Sequence, residues 1–116
     1  MNPIDTAKRY IELFNAQQFT AMGELFAEDS IWEGPTAQMP IRGRANIIAT
    51  YSAMEQMNMD LQMSGVHFHR DGNTVVAEIE TRTSAGPAGR VADIFEIDDE
   101  GRILRMTGYA SLYPAE

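Results

Sequence analysis

The chain has 116 residues, 44% of them hydrophobic, enough apolar material for one globular domain spanning 1–116. A net charge of −8, with nine scattered Lys and Arg, argues against nucleic acid, because phosphate binding needs clustered cations. The absence of cysteine excludes disulfides, thiolate chemistry and zinc–cysteine sites, and fits a cytoplasmic location. No apolar run reaches about 18 residues, so no membrane span is expected. The opening Met1-Asn2-Pro3-Ile4-Asp5 lacks the basic and apolar regions of a signal peptide. No glycine-rich phosphate loop occurs, and no organic cofactor is expected.

Residues from about Asp5 to Ala16 read as an amphipathic helix, with Ala7, Tyr10, Ile11 and Phe14 on one stripe and Asp5 as its cap. A shorter helix is predicted from Thr20 to Ala27, with Met22, Leu25 and Phe26 inward. Glu28-Asp29-Ser30 should break to a short strand, Ile31-Trp32-Glu33, ended by Gly34-Pro35, with a loop through Pro40. Arg44 to Met57 reads as a third helix, carrying Ile47, Ile48, Tyr51 and Met54 on its stripe. Strands follow at Met63–Arg70 and Thr74–Thr83, joined by the hairpin signal Asp71-Gly72. The turn Ala85–Gly89 leads to a strand ending at Ile97, and the turn Asp98–Gly101 leads to a last strand, Arg102 to about Leu112. Helices followed by an antiparallel meander make an α+β fold, with the helices on one face of a curved sheet.

Asp93 is the most informative residue. Period 2 puts Val91, Asp93, Phe95 and Ile97 on one face, and a lone acid on an apolar face has few ordinary explanations. Burial there would raise its pKa, and a neutral carboxylic acid is a hydrogen-bond donor suited to an oxyanion. Tyr10 and Tyr51 also lie on inward stripes. Each alone reads as a core tyrosine, but together with Asp93 they converge as the polar groups of a ligand site do. In the hairpin, Val66 and Phe68 share the inner face with Val75, Ala77 and Ile79, which leaves His67, His69, Glu78 and Glu80 outward. Those histidines point away from the cavity, so this set reads as an outward sheet face open to a partner subunit, and no metal is expected. Met39, Met54, Met57, Met59, Met63 and Met106 could line an adaptable apolar cavity or fill core gaps.

These residues resemble the ketosteroid isomerase branch of the NTF2-like, or SnoaL-like, superfamily. The resemblance rests on Arg9-Tyr10-Ile11 with Asn15-Ala16, Leu25-Phe26-Ala27-x-Asp29, Glu33-x-Pro35, Gly43, and Ala45-x-Ile47 leading into the helix with Tyr51. Asp93 with Phe95, and Gly101 with Met106, complete it over nearly the whole chain, after a small deletion among the hairpin strands. The Leu-Phe-Ala-x-Asp segment is shared by the wider superfamily and marks the fold alone, whereas the Tyr10/Asp93 pair is specific to the isomerase-like branch. The resemblance implies a cone of three N-terminal helices on a mainly antiparallel sheet, and a homodimer. It implies that Tyr10 and Asp93 donate to a dienolate oxygen while Tyr51 supports Tyr10 from behind. The family's proton-shuttling Asp falls at Gly34, which offers no carboxylate. Glu33 is adjacent, but it can serve as base only if a bulge turns it inward.

The leading expectation is therefore an isomerase-like enzyme acting on a hydrophobic, steroid-like or polycyclic ketone. Its catalytic set would be Tyr10, Asp93, Tyr51 and Glu33. Phe14, Phe26, Trp32, Gly34, Met54, Ile79, Phe95 and Met106 would wall the substrate pocket. The alternatives are a related lyase, dehydratase or cyclase, and a non-catalytic binder of a phenolic or keto ligand.

Overall fold

The computed structural model describes residues 2–34 and 39–112. Helix α1 runs Pro3–Asn15. It starts before the expected Asp5 because the Asn2 side chain accepts from the Ile4 N–H, and Pro3 occupies the first turn, where its missing N–H costs nothing. Asp5 falls in that first turn, facing the positive end of the helix dipole. Tyr10, Ile11 and Phe14 are buried along the stripe their spacing predicts. At the C-terminal end the Asn15 side chain bonds both the N–H and the carbonyl of Met63, fastening α1 to the sheet.

Helix α2, Phe19–Gly23, is shorter than its sequence suggests. Phe26 and Ala27, expected at its end, open strand β1, Phe26–Glu33, instead. Glu28-Asp29-Ser30 does not break the chain. A register shift between Phe26 and Ile31 absorbs these residues, with Glu28 and Asp29 exposed and Ser30 buried. The two-residue strand β2, Ile41–Arg42, was not expected, since two residues carry no readable period. Pro35, which the sequence reading places after β1, lies outside the described residues. Gly43 enters α3, Arg44–Glu55, at φ +87°, a conformation open to glycine, and its N–H donates to the Ser30 carbonyl. Helix α3 stops two residues short of the expected Met57, which is exposed.

The remaining strands are β3, Gln62–Asp71, β4, Thr74–Thr83, β5, Gly86–Ile97, and β6, Ile103–Leu112. The Gly/Pro-rich stretch is not one long turn. The chain reverses at Ser84-Ala85, and Gly86 to Gly89 already pair with β4 across a register shift. The six strands are ordered β2-β1-β6-β5-β4-β3, antiparallel except for β1 beside β6. That parallel pair brings the first strand to the last, a long-range contact with no local sequence signal. Helix α1 crosses β3, β4 and β5 while α3 packs on β1, so the helices cover one face. The α+β expectation, three helices on a curved and mainly antiparallel sheet, holds.

Alternation then sorts the side chains. Val75, Ala77, Ile79, Phe95 and Ile97 are buried against the helices. His67, His69, Glu78 and Glu80 are exposed on the far face, His69 Nε2 lying 2.8 Å from Glu78 Oε2. Among the described residues no three metal-capable side chains gather. Met39 and Met57 are exposed and line no interior cavity, whereas Met106 is buried and Met54, Met59 and Met63 are partly so.

Candidate functional site

Two helices and one strand bring three polar groups into the apolar interior. Tyr10 projects from α1 and Tyr51 from α3, and their buried hydroxyls are hydrogen-bonded to each other. Asp93 projects from the middle of β5, opposite Ala77 on β4 and Gly108 on β6, and is 2% exposed. Apolar rings fix this arrangement. Phe95 lies edge-on to Tyr10 at 5.1 Å between centroids, Phe26 stands 6.4 Å from Tyr10 and 6.3 Å from Tyr51, and Trp32 stands 5.6 Å from Tyr51. Tyr10, Tyr51, Asp93, Phe26, Trp32 and Phe95, all expected at the site, therefore lie together. Met106 joins them, since it pairs with both Trp32 and Phe95 across the sheet. Phe14 packs instead on Phe19, and Ile79 lies one step along β4 beside Val91.

The electrostatics follow from burial. Burial pushes the Tyr10 phenol well above its ordinary pKa, and Tyr51 and the nearby Asp93 charge add to the rise. Burial raises Tyr51 as well; its hydrogen bond with Tyr10 partly offsets this, and the Asp93 charge adds to the rise. Both phenols thus remain protonated donors. Burial alone lifts Asp93 from 3.8 to about 7, so its carboxyl is fully protonated only below neutrality. No side-chain hydrogen bond to Asp93 forms among the described residues, and its proton is available to an incoming acceptor.

Gly34 and Glu33 behave differently. Gly34 is buried on the face it shares with Trp32, and a Cβ placed on it would come within 2.4 Å of the indole ring. The tryptophan thus occupies the space into which a side chain at 34 would project. Glu33 is not brought to the tyrosines. It forms an ion pair with Arg105, whose neighbour Met106 is the residue turned inward. Period 2 along β1 and β6 accounts for this, because no bulge falls between Trp32 and Glu33 to reverse it.

Sequence reasoning named Trp32 as a wall and missed its polar atom. Among the described residues Trp32 Nε1 is buried without a hydrogen-bond partner, as are the hydroxyls of Ser30 and Thr81. The phase of Val75, Ala77 and Ile79 also places Thr81 inward, a signal the sequence contained. Three surface depressions lie elsewhere: on the outer face of β4 to β6, beside β2 and α3, and near Leu25 and Gly101. Tyr10, Tyr51 and Asp93 line none of these three.

The SnoaL-like domain family matches residues 7–106, and the chain belongs to that family. Solved structures agree on the fold. An NTF2-like protein of unknown function from Mesorhizobium loti superposes with a TM-score of 0.76 at 18% identity, covering 94% of this chain and 90% of that one. A candidate ketosteroid isomerase from Kribbella flavida gives 0.73 at 21% identity, covering 97% and 79%. The epoxide hydrolase/cyclase-like enzyme SalBIII, of pyran ring formation in the polyether salinomycin, gives 0.70 at 19% identity, covering 94% and 90%. Likeness at these identities establishes the NTF2-like architecture and nothing of the chemistry. Among the described residues no helix is long and apolar enough to cross a membrane.

Asp93 makes stability depend on pH with a definite sign. Its folded pKa of about 7 exceeds the ordinary 3.8, so the folded state holds the extra proton between those values. The stability is complete below about pH 4 and is lost as pH rises through about 7, by on the order of 4 kcal/mol. Chemical denaturation of wild type and Asp93→Asn across pH 4 to 8 should show the variant gaining relative stability as pH rises. A difference between the two that does not change with pH would contradict the burial account.

Proposed function

We propose that this chain is a ketosteroid-isomerase-like enzyme that stabilises the enolate-type oxyanion of a hydrophobic, steroid-like or polycyclic ketone. Tyr10 and the protonated Asp93 donate to the developing oxygen, and Tyr51 donates to Tyr10 from behind. The observation that carries the reading is the buried Tyr10–Tyr51 hydroxyl pair, with Asp93 on the inner face beside it. Donors fixed in a dry site need no reorganisation as charge develops, and removing one typically costs about 10²–10³ in rate. Phe26, Phe95, Met106 and Trp32 are the nearest apolar neighbours of these donors, and Phe14 and Ile79 lie farther out.

The proton-transfer step separates this reading from a second. To act as base, Glu33 would have to leave Arg105 and cross to the inner face, and position 34 holds no carboxylate. That observation favours a lyase-, dehydratase- or cyclase-type reaction, in which substrate or water moves the proton while the same donors hold the oxyanion. A binder of phenolic or keto ligands would use the two donors alone.

We further place a homodimer contact on the outer sheet face, in a reducing compartment such as the cytoplasm. This face holds a depression of about 550 Å³ edged by His67, Glu78, Arg90 and Tyr109, the last 61% exposed. Sedimentation equilibrium at micromolar concentration should give twice the chain mass, and Tyr109→Glu should shift it toward one. A wild-type monomer would remove the contact.

Isomerisation of a Δ5-3-ketosteroid, followed by the absorbance of the conjugated product, tests the enzymatic reading. Turnover should fall about 100-fold or more in Tyr10→Phe. Turnover indifferent to both Tyr10→Phe and Asp93→Asn would sink the oxyanion assignment. Absence of turnover in the wild type would move the weight to the second reading.

A further inference from the structure

The Trp32 indole presents a buried N–H that no acceptor satisfies among the described residues. Such orphans are rare and unfavourable, and each one in a folded chain calls for an explanation. This one stands beside the tyrosine pair, near enough that its donor character lowers the pKa of both hydroxyls against the larger effect of burial. Neither hydroxyl accepts from it in hydrogen-bond geometry. The ring cannot easily turn away, because it rests against Gly34 on one side and Tyr51 on the other.

The surroundings are short of acceptors. One tyrosine proton is taken by the other hydroxyl, which leaves the second hydroxyl proton and the indole proton unmatched. The carboxyl of Asp93, when protonated, adds another donor. Glu33, the nearest acid in sequence, is held by Arg105 on the opposite face. With Asp93 protonated, the cluster has, among the described residues, no group that only accepts and carries several lone pairs.

We propose that Trp32 Nε1 is a third donor to the ligand oxygen, beside Tyr10 and Asp93. The inference rests on the oxyanion reading above and extends it to a further residue. It also accounts for a glycine at 34 beside a tryptophan at 32. A glycine at 34 leaves room for the indole to reach the tyrosines, and an additional donor stands where a side chain at 34 would otherwise project. The site then holds an oxyanion firmly, and a phenol bound there as its anion gives its proton up to solvent.

Two probes of matched shape test this, 2-naphthol and 2-methylnaphthalene, together with the chain's single tryptophan as a reporter. In ¹⁵N-labelled protein the one indole N–H resonance should move downfield on binding 2-naphthol and stay in place with 2-methylnaphthalene. Trp32→Phe should weaken 2-naphthol about tenfold while leaving 2-methylnaphthalene within about twofold. An indole resonance unmoved by 2-naphthol, while Tyr10→Phe still weakens its binding, would overturn the Trp32 assignment and leave the oxyanion reading standing. Equal losses of both probes in Trp32→Phe would likewise reduce Trp32 to a wall. A wild-type protein that does not bind 2-naphthol at all would overturn both. The resonance is read in wild type, so the test survives if the variant fails to fold.

Discussion

The hydrogen bond between Tyr10 and Tyr51 is the constraint around which the interior is organised. It joins α1 to α3 across 41 residues of sequence, and it does so where water is excluded. Two phenols buried apart would each lack a partner, and an unpaired buried hydroxyl is costly. Meeting one another halves that deficit and leaves one proton directed onward. The aromatic rings around them, Phe26, Phe95 and Trp32, then have a fixed frame to pack against. Asp93 completes the frame from the sheet side, and its elevated pKa reflects the same dryness that keeps both phenols protonated.

The second determinant is the face shared by Trp32 and Gly34. A side chain at 34 and the indole at 32 cannot both occupy the inner surface of β1, since the separation would be 2.4 Å. The chain carries the large residue at 32 and the absent one at 34. One consequence is steric, because the interior loses volume. The other is electrostatic, because the space is filled by a donor. Glu33 falls between them on the other face, paired with Arg105. The arrangement concentrates hydrogen-bond donors on one side of β1 and places charge on the other.

Much of this was legible in the sequence where a period was legible. The inward placement of Tyr10, Tyr51 and Asp93 follows from helical and strand spacing alone, as does the outward placement of His67 and His69. Features lacking a period were not legible. Strand β2 is two residues long, and the parallel union of β1 with β6 depends on distant segments. The Glu28-Asp29-Ser30 segment reads as a break because acids disfavour strands, yet a register shift lets it continue. Asp5 was a reasonable cap, but Asn2-Pro3 is a stronger start a few residues earlier. The unpartnered indole N–H depends on three-dimensional surroundings that no spacing encodes.

The proposed presentation of donors to an oxyanion is tested by the ionisation state of a bound ligand. The absorbance spectrum of 2-naphthol bound to the wild-type protein would be recorded at a pH where the free phenol is neutral. Stabilisation by Tyr10, Asp93 and Trp32 predicts the spectrum of the phenolate. A bound ligand with the spectrum of the neutral phenol would contradict it.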